Sequence, residues 1–240
     1  MSAPPIIEGL SVLAPRYRAL LCDVWGVIHN GRESFPGVVD CLKAARSKGL
    51  AVLLLSNAPR PAEPIRAQLA SLGVPADAYD TIVTSGDLTR RLLTERSAQG
   101  TFAVHHVGPE RDLPLFDGLN VARVALDKAT AIVCTGPFDD TKEGPEDYRD
   151  YWKPALARRL PFFCANPDLV VQRGDQIIYC AGALGQDYER QGGDVLYLGK
   201  PHAPVYDFVE ARLAELTGRA IPRAQWIAIG DGLKTDILGA

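Results

Sequence analysis

With 240 residues, 47% of them hydrophobic and 23% charged, the chain can bury a sizeable core in one large or two modest domains, and its composition excludes a disordered class. A formal net charge of −3 gives no electrostatic footprint for nucleic acid. No apolar run approaches the roughly 18 residues that a membrane span needs, and the N-terminal segment MSAPPIIEGLSVLAPRYR lacks the basic and apolar regions of a secretion signal, so a cytoplasmic protein is expected.

Short apolar runs alternate with helical patterns, which points to an α/β fold of βαβ units around a largely parallel sheet. The first strand is ALLCD (19–23), followed by a helix over 37–48 in which Val38, Val39, Leu42 and Ala45 share a face before Gly49. LAVLLLSN (50–57) is a strand, and 62–72 a helix carrying Ile65, Leu69 and Leu72. TIVTSGD (81–87) leads into a helix over 87–97 with Asp87 as its N-cap. FAVHHVG (102–108), AIVCTG (131–136) and PFFCANPD (161–168) read as further strands. His105 and His106 are neighbours in the first of these, so they point to opposite faces and do not form a paired metal site; one of them is expected to be exposed.

Residues 137–194 are richer in Gly, Asp and Tyr and less regular. After them come VLYLGK (195–200), a helix over 204–217 ending at Gly218, and QWIAIGD (225–231). The expected organisation is a core formed by 1–86 and 195–240 with a second domain, 87–194, inserted between its halves. The chain stops at TDILGA, a few residues into a helical pattern, which reads as truncation of a longer protein. The five cysteines (Cys22, Cys41, Cys134, Cys164, Cys180) form no CxxC pair and read mainly as small buried hydrophobes, with metal or redox use as the alternative.

The strand ends carry the chemistry, because ligands of open α/β sheets bind beyond the carboxyl ends of the strands. Four runs end in Asp23, Ser56–Asn57, Lys200 and Asp231. Two carboxylates on neighbouring strands repel unless a cation joins them, and Mg²⁺ suits carboxylates together with phosphate oxygens. Ser56 and Asn57 can donate hydrogen bonds to phosphate, and Lys200 adds a point charge. In GDGLKTD, Asp236 follows Asp231 around a turn that opens a helix. This set suits phosphoryl transfer, which depends on positioning and charge neutralisation. GGDVLYLGKP is not a P-loop, since Asp194 replaces the first Gly and Pro201 the Ser or Thr after Lys; no GxGxxG after a strand, G-x-S-x-G or HExxH is present.

CDVWGVIHNG, LLLSNAPRP, CANPD, LGKPHAPVYD and IGDGLKTDI, in this order, resemble the haloacid dehalogenase superfamily, specifically its class IIA, NagD-like branch. The resemblance implies a Rossmann-like parallel-sheet core with an inserted α/β cap domain. It implies that Asp23 is a nucleophile forming an aspartyl-phosphate, and that Asp23, the backbone carbonyl of Trp25 and Asp231 hold Mg²⁺, with Asp236 supporting that shell. Ser56 and Lys200 would hold the phosphoryl group, Asn57 would help to position it, and Asp168 and Leu169 would face the leaving group.

The implied activity is a Mg²⁺-dependent phosphatase or phosphotransferase acting on small phosphorylated metabolites, sugar phosphates among them. No nucleic-acid or membrane partner is expected, and a homo-oligomer is admissible. Two positions depart from the family pattern. Trp25 stands where relatives carry a second Asp that protonates the leaving group, and an indole cannot exchange a proton near neutral pH. His29 is a candidate replacement. Ala58 and Pro59 replace polar residues, with Arg60 a candidate compensating contact. The alternative reading is a catalytically impaired protein that binds a phosphorylated ligand or regulates through one.

Overall fold

The computed structural model describes residues 5–173 and 176–240. Strands follow in chain order as β1 (Ala19–Cys22), β2 (Ala51–Ser56), β3 (Thr81–Thr84), β4 (Phe102–Val107), β5 (Val121–Arg123), β6 (Ala131–Cys134), β7 (Phe162–Cys164), β8 (Val170–Arg173), β9 (Gln176–Tyr179), β10 (Val195–Tyr197) and β11 (Trp226–Ile229). The α-helices are α1 (Val38–Ser47), α2 (Ala62–Ser71), α3 (Ser85–Arg96), α4 (Lys153–Ala157), α5 (Ala181–Arg190) and α6 (Ala203–Thr217).

One sheet has the order β11-β1-β2-β3, every neighbouring pair parallel. Its strands read as unbroken apolar runs because both faces are covered. Leu20, Cys22, Val52 and Leu54 pack with Leu42 of α1 and Ile65 and Leu69 of α2. The alternate residues Ala19, Leu21, Leu53 and Leu55 join Leu88 and Leu93 of α3 and Val205, Val209 and Leu213 of α6. That second cluster continues into Val104, Val133 and Phe163 of the other sheet.

The other sheet, β10-β7-β6-β4-β5, is also parallel. Its far face buries Ile132, Cys134, Phe162 and Cys164 against Trp152, Leu184 and Tyr188. Strand β10 lies here, paired with β7 from Val195↔Phe162 to Tyr197↔Cys164. A boundary at 195 is therefore one strand too early: the chain crosses over through α5 before it returns to the first sheet. A short apolar run does not say which of two sheets it joins. The irregular-looking stretch after 137 holds α4, α5 and the antiparallel β8–β9 hairpin.

Helix α3 begins earlier than expected. Thr84 is its N-cap, accepting from the Asp87 N–H at 2.9 Å, while the Asp87 carboxylate accepts from the Thr84 N–H at 3.1 Å. Asp87 is thus the third helical residue of a reciprocal capping box and not the cap itself. His105 and His106 do point apart, towards Tyr151 and Thr135, but both are half-buried. Cys41 is exposed and the other four cysteines are buried. No helix among the described residues is long and apolar enough to cross a membrane.

Candidate active site

Neighbouring strands lie about 4.8 Å apart, so residues at or just past the carboxyl ends of β11, β1 and β2 come side by side. These are Asp231, Asp23 and the Ser56–Asn57 pair. The Asp23 N–H donates to the Ile229 carbonyl at 2.8 Å, extending the ladder one residue beyond β1 and fixing the start of the Asp23 side chain. Asp236, in the π-helical turn Leu233–Ile237, completes a group in which Asp23, Asp231 and Asp236 offer carboxylate oxygens all within 4.8 Å of one another. Gly26 has φ +83°, and a Cβ on it would overlap the Asp231 carboxylate, so only glycine lets the loop after β1 approach this closely.

Lys200, only 3% exposed, bridges the group: its Nζ donates to Asp23 Oδ1 at 2.7 Å and to Asp236 Oδ1 at 2.6 Å. The other Asp236 oxygen accepts from the Gly232 N–H at 3.1 Å. Burial pushes the Asp23 carboxyl up to about 6, with Lys200 pulling it back and Asp236 pushing it further. Burial opposes the Lys200 ammonium, yet the two carboxylates outweigh it and hold the lysine above its ordinary range. Three carboxylates around one ammonium leave an excess of negative charge.

Asn57 is fully engaged. Its amide donates to Asp168 Oδ1 at 2.9 Å and to the Lys200 carbonyl at 3.1 Å, while its oxygen accepts from the Lys200 N–H at 2.8 Å and the Ser85 hydroxyl at 3.4 Å. It positions Lys200 and Asp168, with no amide hydrogen left over for a phosphoryl group. Gly199 makes this possible, since a Cβ there would collide with the Ser85 hydroxyl and the Asn57 amide.

A cleft of 1480 Å³ opens above the cluster, lined by Asp23, Trp25, Ser56, Asn57, Asp168, Leu169, Lys200, Asp231 and Asp236 among others. The structure therefore brings the sequence-predicted site residues together, except Arg60 and His29. The Arg60 guanidinium faces the buried Asp112, with Nε 3.9 Å from Oδ1, and Arg60 does not line the cleft. Trp25 is 38% exposed, its indole edge-on to His29 at 5.3 Å and backed by Gly31. His29 is 2% exposed, accepts from the Gly31 N–H at Nδ1 (2.9 Å), and has its pKa lowered by burial. Its ring is an internal brace of the loop and does not line the cleft, which counts against the replacement acid–base role considered for it.

The cleft also recruits Asn30 and Arg32 from this loop, and Tyr197 with His202, whose rings stack 4.6 Å apart. Sequence reasoning passed over these. Only the adjacency of His202 to the GKP segment could have pointed to one of them.

The profile of the haloacid dehalogenase-like hydrolases matches residues 20–121. A haloacid dehalogenase-like hydrolase of known structure from Brucella suis shares 45% identity over 98% of this chain and 85% of its own, with a TM-score of 0.90. The chain belongs to the haloacid dehalogenase-like hydrolase family. Within it this hydrolase is NagD-like: it is 25% identical to the ribonucleotide monophosphatase NagD of Escherichia coli over 91% of this chain and 81% of that one. It is also 30% identical to the D-glycerol 3-phosphate phosphatase of Mycobacterium tuberculosis over 95% of its own length, and spans 61% of that relative's length.

Proposed function

We propose that this hydrolase cleaves phosphoric monoesters of small metabolites, sugar phosphates among them, through a phosphoryl group carried transiently on Asp23. The observation that carries the reading is the Lys200 ammonium, held between Asp23 and Asp236 beside Asp231 at the mouth of the parallel strands. The names of two relatives, one a glycerol phosphate phosphatase and one a ribonucleotide monophosphatase, support the reaction class.

An all-oxygen donor set with surplus negative charge fits a hard divalent cation such as Mg²⁺. Asp23, Asp231 and the Trp25 backbone carbonyl would hold it, with Asp236 supporting them; when bound it would neutralise charge on the phosphoryl oxygens. The chain's own residues supply the rest. With one oxygen of Asp23 tied to Lys200, the other is the attacking atom, and covalent capture divides one hard displacement into two easier ones. Lys200 spends two of its three N–H bonds on carboxylates and keeps the third for a phosphoryl oxygen. The Ser56 hydroxyl is a further donor.

A single-turnover reaction with p-nitrophenyl phosphate and Mg²⁺, quenched in acid, tests this by mass analysis of the peptide containing Asp23. A phosphorylated Asp23, absent from the Asp23→Asn variant, is the expected result. No adduct and no nitrophenolate from folded protein would overturn the enzyme reading in favour of a protein that binds a phosphorylated ligand.

A further inference from the structure

An alkoxide leaving phosphorus needs a proton, and the water that later attacks a phosphoaspartate must lose one. A positioned acid–base group is worth about 10²–10⁴-fold in such steps. The loop after Asp23 does not supply it: Trp25 offers an indole, and His29 is buried and engaged at Nδ1. Asp231, Asp236 and Lys200 belong to the charge cluster. On the far wall, Glu189 accepts from the Tyr197 hydroxyl at 3.2 Å, and His202 is stacked on the same ring.

Asp168 remains. It lines the same cleft, between β7 and the β8–β9 hairpin, and Asn57 holds its Oδ1 at 2.9 Å. Asn57 follows Ser56 directly and is bonded to both the N–H and the carbonyl of Lys200. One amide thus sets the Asp168 carboxyl in register with the lysine that holds Asp23. Its own N–H donates to the Asn166 side chain at 3.1 Å, which pins the loop from the other end. Burial raises its pKa; Asn57 and the nearby Lys200 charge pull it down, while Asp236 and Asp231 push it up.

We propose that Asp168 is the general acid–base group of the reaction. The assignment rests on the phosphatase reading above. As an Asp23 oxygen bonds to phosphorus and the bond to the leaving oxygen breaks, the Asp168 carboxyl gives its proton to that oxygen, releasing the alcohol. The Asp168 carboxylate then takes a proton from the water that attacks phosphorus. The Asp23–phosphorus linkage breaks, its electron pair returns to the Asp23 carboxylate, and phosphate leaves with Asp168 protonated again.

The test is Asp168→Asn, compared on glycerol phosphate, whose leaving alkoxide needs a proton, and p-nitrophenyl phosphate, whose leaving group does not. The expected result is a nitrophenolate burst of near wild-type size followed by turnover slowed about 10²-fold, with phosphorylated Asp23 accumulating. On glycerol phosphate even the first turnover should fall by about 10²–10⁴-fold, and the alkaline limb of the kcat/KM profile should disappear. Asp168→Glu, which keeps the carboxyl, should recover part of the glycerol phosphate activity, and a matching thermal midpoint establishes that the variants fold. Equal losses on both substrates, in burst and steady state, with an unchanged pH profile would overturn the assignment and leave Asp168 a positioning residue acting through Asn57. Wild-type protein that forms no phosphoenzyme on either substrate would instead remove the phosphatase reading, and this assignment with it.

Discussion

At the floor of the cleft Lys200 is buried and ion-paired twice, and every polar atom of the Asn57 side chain is bonded. The β8–β9 hairpin that lines its far side is built differently: Val170 and Tyr179 are exposed, Ile177 is 73% exposed, and among the described residues its two strands pair only with each other. A lone two-stranded ladder contributes little stability of its own. The contrast separates two demands. Chemistry on phosphorus needs charges held in fixed places, which buried hydrogen bonds provide, whereas selection among leaving groups needs a surface that can vary without unfolding the protein.

Lys200→Met breaks this contrast at its strongest point. It leaves Asp23 and Asp236 as buried, unpaired charges, and loss of one partner from such a group costs about 3–5 kcal/mol. Urea denaturation should show a loss of that size, and phosphate-analogue binding should weaken with it.

The inserted sheet lies between the two extremes. His106 sits edge-on to Phe116 with a ring nitrogen 3.0 Å from the Thr135 hydroxyl, and burial pushes its pKa down to about 4. The unfolded chain takes up that proton near pH 6.5 while the fold refuses it. Stability from this residue is therefore full above about pH 6.5 and declines as the pH falls towards 4, by at most about 1.4 kcal/mol per pH unit. Urea midpoints at pH 7 and pH 5 should differ accordingly, and His106→Gln should shrink the difference.

Trp25→Asp asks whether the indole belongs to the floor. Its contacts with His29 and Gly31 make it part of the loop's packing, so the substitution should cost about 1–2 kcal/mol in a thermal melt. Turnover of an alkyl phosphate should not rise; a gain of about tenfold or more would count against Asp168 as the acid. The smallest effect is expected on the hairpin side. Leu169→Ser should leave stability within about 0.5 kcal/mol and the p-nitrophenyl phosphate kcat unchanged, while altering the ratio of KM values between a small and a bulky phosphate ester.

Much of the floor was legible because its signals are local. A carboxylate ending a run such as ALLCD, or a Lys after a strand-like VLYLG, marks a strand end wherever it lies in the chain. The eight apolar runs each contain a strand, and four helical stripes lie within two residues of their predicted limits. What escaped depended on distant partners. β5 has only three residues and takes its place from β4, and β8 and β9 lie in a stretch whose Gly and Asp content masked their alternation. Arg60 follows the Ser56–Asn57 turn in sequence, but the buried Asp112, brought in from the inserted sheet's side of the molecule, faces its guanidinium. Asn57 read as a phosphate donor because its three partners come from residues 85, 168 and 200.

The apolar cluster that holds Leu21 and Leu53 of the first sheet also holds Val104, Val133 and Phe163 of the second, with α3 and α6 packed into both. Neither sheet can be stripped away without opening the interior of the other. Although their hydrogen-bond ladders are separate, the two sheets share one apolar interior and are expected to unfold together. Damage at a remote inserted strand is therefore felt as a loss of the whole fold, Asp23 included.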